Sequence, residues 1–141
     1  MARVKLQMPG NSIAEIAIPV RITDINYGNH LGNDALVSIL HEARVQWLAS
    51  MDYSELNLAG TSLIMSDLAV EYKNEGFYGD MLTVKIAMGE ISSSGFEVYY
   101  HILNQQQKEI ARAKTGLVCF NYETRKIAPV PEAFLQKVQA L

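Results

Sequence analysis

The sequence predicts an α+β fold, one antiparallel sheet packed against one long helix. Apolar residues alternate with period two in three segments, 13–23, 81–88 and 96–103, two more segments, 62–72 and 110–120, read as strands, and only one long segment follows the 3.6-residue period. The connections between the later alternating segments are of hairpin length, which requires antiparallel neighbours. A helix with a single apolar stripe must bury it, and the sheet supplies the surface. At 141 residues the chain is long enough for one domain, residues 1–141, with a full core.

The first alternating segment runs from Ile13 to Thr23. Ile16, Ile18, Val20 and Ile22 share one parity, and Glu15, Pro19, Arg21 and Thr23 take the other. Pro19 cannot donate to a ladder, so this strand either takes a sheet edge or leaves one ladder position without a donor. After the break "DINYGNHLGN", Leu36, Ile39, Leu40, Ala43 and Trp47 form the helical stripe. Asn33 and Asp34 are natural N-cap residues, and the helix is expected to end near Met51 or Asp52. Strands follow over Ser62–Tyr72, Met81–Met88, Phe96–Leu103 and Ile110–Phe120, separated by "EGFYGD", "SSSG" and the polar turn 104–108. "PVPEAFLQKV" reads as a short helix opened by proline.

Composition narrows the function. Hydrophobic residues make up 49% and charged residues 19%, the balance of an ordinary globular protein. A net charge of −3 gives no footprint for nucleic acid and no polybasic surface for a membrane. No apolar run approaches the length of a membrane span, and "MARVKLQMPGNS" breaks at Gln7 and Pro9 before a leader core could form. The single cysteine, Cys119, cannot form an internal disulfide, so the expected location is cytoplasmic. His30, His41 and His101 lie on different elements without ligand spacing, so no metal site is expected. Phosphate-binding glycine loops, HExxH, CxxC and the nucleophile elbow are all missing from the sequence.

The strand-to-helix junction "RITDINYGNHLGNDALVSILHEARVQWL" holds the candidates for chemistry. Asp24 continues the core-facing series of the first strand, where a carboxylate is costly unless hydrogen-bonded or functional; the alternative is an Asx-turn at the strand end. Asn26 shares that parity and can hold a water or a carbonyl, or simply turn the chain, but cannot be a base at neutral pH. His30 can polarise a ligand or cap the loop. Backbone amides around Gly32 to Ala35 open the helix, where the dipole favours negative charge, and Gly28 and Gly32 leave room for close approach. Such a loop can stabilise an oxyanion, although a tight connection would use glycines too. Glu42 sits on the flank of the buried face. His41 and His101 read as exposed, Trp47 and Cys119 as core.

Those residues resemble the signature of 4-hydroxybenzoyl-CoA thioesterase-like proteins of the hotdog fold. In that family a strand ends in Asp-x-Asp, and a Gly-His-Val-Asn-Asn-like loop enters a helix carrying Glu-Ala-Arg. Here Asp24 matches the first aspartate, His30 and Asn33 match the loop, and Glu42, Ala43 and Arg44 match the helix. "FYGD" at 77–80 and "APVPEAF" at 128–134 resemble the turn before the third strand and the C-terminal ending. Two positions depart from the pattern. The second aspartate, the family's usual catalytic carboxylate, is Asn26, and Gly28-Asn29-His30 moves the glycine one place earlier.

The resemblance implies a five-stranded antiparallel sheet wrapped around one central helix, and hydrolysis of an acyl-CoA to free acid and coenzyme A. Asp24 or Glu42 would be the acid–base group, with Asn26 and His30 positioning substrate or water. Asn33 and Gly32 would bind the oxyanion, and Tyr72 and Phe77 would line the pocket. No metal or redox cofactor is implied. Sheets paired edge to edge would give a homodimer or homotetramer with the site at the interface. The alternatives are an acyl-thioester binding module that does not cleave, and a hydro-lyase, for which His30 is the available histidine.

Overall fold

A computed structural model describes residues 2–141. In chain order it contains β1 (Ala14–Pro19), a single 3-10 turn (Ile22–Asp24), α1 (Asn33–Ser50), β2 (Ser62–Tyr72), β3 (Met81–Ile91), β4 (Gly95–Leu103), β5 (Glu109–Asn121), β6 (Lys126–Ile127) and α2 (Glu132–Gln139). The sheet is antiparallel with order β1-β3-β4-β5-β2, and the two-residue β6 pairs with β5. This is the expected sheet around a long helix, with one short strand more than the sequence indicated. A pair of ladder positions after a turn has no periodicity to read.

The stripe of α1 packs onto one face of the sheet. Leu36, Ile39, Leu40, Ala43, Trp47 and Leu48 are buried against Leu82, Val84 and Ile86 of β3 and Phe96, Val98 and Ile102 of β4. Each leucine or isoleucine buried this way contributes about 1.5–3 kcal/mol of transfer free energy. α2 closes one end of the core, where Phe134 meets Phe96 with ring centroids 4.9 Å apart. Trp47 and Cys119 are core residues. The sheet's other face carries ion pairs such as Lys114 with Asp67 (2.7 Å) and with Glu97 (3.3 Å).

Three expectations need correction. The first strand stops at Pro19, not Thr23. Val20 N–H still reaches the Asp80 carbonyl at 2.8 Å, but the chain then turns, with Asp24 N–H on the Arg21 carbonyl at 2.9 Å. The alternation is therefore lost, and Ile22 is 66% exposed, not part of the core. Second, the N-cap of α1 is Gly32, not Asn33 or Asp34, and it makes no side-chain cap bond. Third, Pro131 is the N-cap of α2, outside its first turn.

Candidate active site

The junction builds itself from local hydrogen bonds. Asp24 is 5% exposed. Its Oδ2 accepts the Arg21 backbone N–H at 2.8 Å and its Oδ1 lies 3.5 Å from the Arg21 guanidinium. Burial of this carboxylate thus comes from closing the 3-10 turn, not from strand parity. Its backbone carbonyl accepts the Gly32 N–H at 2.9 Å, which ties the strand end to the helix start.

Asn26 holds the loop between. Its Oδ1 accepts the N–H of Gly28 at 2.8 Å and that of His30 at 3.4 Å. Asn26 N–H donates to the His30 carbonyl at 2.9 Å, and Asn29 turns the corner at φ 65°, a left-handed conformation asparagine tolerates. Neither Gly28 nor Gly32 has a positive φ, so both serve space rather than twist. A Cβ on Gly28 would stand 3.3 Å from both Asn26 Oδ1 and His30 Nε2, and one on Gly32 would stand 2.8 Å from Asp34 Oδ1.

A cleft of about 450 Å³ opens over this loop, lined by Asn26, His30, Leu31, Asn33, Tyr72, Lys73, Asn74 and Glu75. The loop after β2 is pinned across it by the Leu31 N–H on the Gly76 carbonyl at 2.7 Å. Tyr72 donates its hydroxyl to the Asn33 carbonyl at 2.9 Å, joining the end of β2 to the first turn of α1. Burial first, then the Asp34 charge, push the Tyr72 phenol above its ordinary value, so it remains a donor at neutral pH. Since the Gly32 amide is taken by Asp24, the first-turn amides left for an anion are those of Asn33 to Ala35, where the helix dipole is positive.

The cleft therefore brings together Asn26, His30, Asn33 and Tyr72 of the expected residues. Asp24 is buried and does not line it. Glu42 is exposed on the far flank of α1, accepts from Gln46 Nε2 at 2.8 Å, and lines a different groove against β1. Phe77 belongs to the turn before β3 and lines neither. The sequence reading does not name Lys73, Asn74 and Glu75, although the polar run "KNEG" directly after the second strand marks them.

A second polar assembly crosses the core. Arg44 donates Nε to Glu55 at 2.9 Å and Nη1 to the Tyr100 hydroxyl at 3.1 Å, and that hydroxyl bonds Thr115 Oγ1 at 2.8 Å. Exposed His41 donates Nε2 to Glu55 at 2.6 Å. Burial works against the Arg44 cation, but Tyr100 and Glu55 more than offset it and hold its pKa above the ordinary value. Burial likewise raises the Glu55 carboxyl, and the bonds from His41 and Arg44 reverse that, leaving it below the usual carboxylate range.

A curved antiparallel sheet around one helix, with a polar cleft where the helix starts, defines a thioesterase-like chain. Residues 20–138 match the family model of the thioesterase-like superfamily, and the chain belongs to it. It is 28% identical over 128 residues to a 1,4-dihydroxy-2-naphthoyl-CoA hydrolase of Acaryochloris marina, covering 85% of this chain and 91% of that one. The corresponding hydrolase of Rippkaea orientalis is 24% identical over 125 residues, covering 83% and 88%. Among solved structures, the 1,4-dihydroxy-2-naphthoyl-CoA thioesterase of Synechocystis superposes with a TM-score of 0.82 at 24% identity, over 90% of this chain and 96% of that one. That likeness fixes the fold as a hotdog.

Proposed function

We propose that this protein hydrolyses an acyl-CoA thioester to a free acid and coenzyme A, at the cleft over the strand-to-helix junction. The observation that carries this reading is the start of α1 at the cleft: Asn33, its first residue, lines the cleft, and the amides of Asn33 to Ala35 have no partner among the described residues. Amides aimed at a developing oxyanion are commonly the largest single term in acyl transfer. An aryl acid like that named for the two hydrolase relatives is the substrate class to try first.

In this reading Asp24 is a positioning residue. Its carboxylate closes the turn before the loop, and its carbonyl holds Gly32. Asn26 fixes the loop through Oδ1 and leaves its amide nitrogen for the substrate. Tyr72 sets the helix start against β2. Two copies pair along β2, the long edge strand of the sheet, to form a homodimer. The location is cytoplasmic, in keeping with one free, buried cysteine.

Thiol release from aryl, short-chain and long-chain acyl-CoAs tests the reading, with Asp24→Asn and Glu42→Gln run beside the parent. Release should be fastest for an aryl substrate. Glu42→Gln should retain it, and Asp24→Asn should lower it together with thermal stability. Saturable binding of every ester with no release would replace hydrolysis with the binding-module reading.

A further inference from the structure

We propose that His30 is the general base of the reaction, taking the place of the carboxylate the chain lacks at Asn26; this rests on the hydrolase reading above. Asp24 Oδ2 is held by a backbone amide, Oδ1 faces Arg21, and the residue lies outside the cleft. Asn26 carries no titrating group, and its Oδ1 already accepts two amides. Glu42 opens on a different groove. Asp34 Oδ1 rests against Gly32 and does not line the cleft. Glu75 does line it, but exposed, on the loop after β2.

His30 differs from all of these. Its Nδ1 lies 3.3 Å from the Leu31 carbonyl oxygen. A carbonyl can only accept, so Nδ1 carries the proton, and in the neutral ring Nε2 keeps its lone pair. Among the described residues Nε2 has no hydrogen-bond partner, and it faces the space left by the missing side chain of Gly28. A backbone carbonyl thus fixes the tautomer, and a glycine keeps the basic nitrogen open.

The step balances without a further reactant. Water attacks the thioester carbonyl carbon while Nε2 takes its proton, and the carbonyl oxygen becomes the oxyanion held by the α1 amides. The C–S bond then breaks, and the imidazolium returns the proton to the leaving thiolate. Free acid and thiol are the products. Protonation of Nε2 removes the base, so turnover has an acid limb. The charged groups lining the cleft from neighbouring elements are Lys73 and Glu75 after β2, beside the Tyr72 phenol on β2; the Asp34 carboxylate on α1 acts on that phenol from outside the cleft.

The test is the pH dependence of thiol release from benzoyl-CoA by the parent, His30→Gln, Gly28→Ala and Glu75→Gln. General-base removal should lower kcat about 10²–10⁴-fold with little change in KM, and abolish the acid limb. Gly28→Ala, which sets a methyl against Nε2 without straining φ, should lower kcat as well. Glu75→Gln should keep the limb. Parent-like kcat in His30→Gln, or a limb that survives there and vanishes in Glu75→Gln, would overturn the assignment while leaving the hydrolase reading intact. No release by the parent would overturn both. Nitrogen-15 spectra of the histidines in the parent decide the tautomer independently of turnover: Nδ1–H is expected for His30, and Nε2–H would sink the proposal.

Discussion

At the scale of single residues, the hydroxyl of Tyr100 has the most to lose. It is fully buried, accepts from Arg44 and bonds Thr115. Tyr100→Phe keeps the ring and strands both partners, so it should cost about 1–3 kcal/mol in urea melts at unchanged slope. A stability equal to the parent's would mean the network contributes nothing. Glu55 adds a pH dependence. Its folded pKa lies below that of the unfolded chain, so its contribution is present in full above the ordinary glutamate value and is lost as pH falls through the folded one. The stability gap between the parent and Glu55→Gln should therefore narrow on acidification, and a gap constant with pH would remove Glu55 as its source. Arg44 was visible in the sequence only through family likeness. Yet it falls four residues after Leu40 within the apolar stripe, and a cation there asks for a buried partner. Which partner was illegible, because Glu55 and Tyr100 meet it only through the fold.

At the scale of elements, periodicity read well wherever one face is buried along a whole segment. Phe96, Val98, Tyr100 and Ile102 turn inward together, whereas Ser62–Tyr72 has the bounds expected with no such alternation in its burial. It failed between Val20 and Asp24, because three residues of 3-10 turn conserve the chemistry of the sequence but not its parity. Asp24 was thus buried as expected for a reason the pattern could not hold. Glu42 shows the opposite limit: its flank position was legible, but which cleft it borders depends on where β1 lies. α2 was legible from its proline and is held by tertiary contacts, since a helix this short is marginal alone. Phe134 anchors it between Trp47, Tyr53 and Phe96, and Lys137 donates to the Met51 carbonyl at 2.7 Å beyond the end of α1. Phe134→Ala should cost about 3–5 kcal/mol. Hydrogen exchange should then quicken in α2 while β3 and β4 stay protected; uniform protection would show that α2 docks without this ring.

At the scale of the whole molecule, the sheet's two edges are unlike. β1 is six residues long and carries Pro19, which blunts it. β2 is eleven residues long, contains no proline, and exposes Ile64, Met65 and Leu68. Met65 and Leu68 also border a cleft of about 230 Å³ with Val37, Leu40 and the polar Ser38, His41 and Arg44 of α1, so the open edge continues onto the flank of the helix. In the proposed homodimer this exposed edge pairs with an identical strand, which would satisfy its free amides and carbonyls and cover that flank in a two-fold contact. Leu68→Arg places a charge in that contact without entering the core. Sedimentation velocity should find the parent dimeric and the variant monomeric, both with the same far-UV spectrum. If the monomer still releases thiol, the cleft over the junction is complete within one chain. If folding persists and turnover is lost, the partner supplies part of the site. A parent that sediments as a monomer would reject the β2 contact itself.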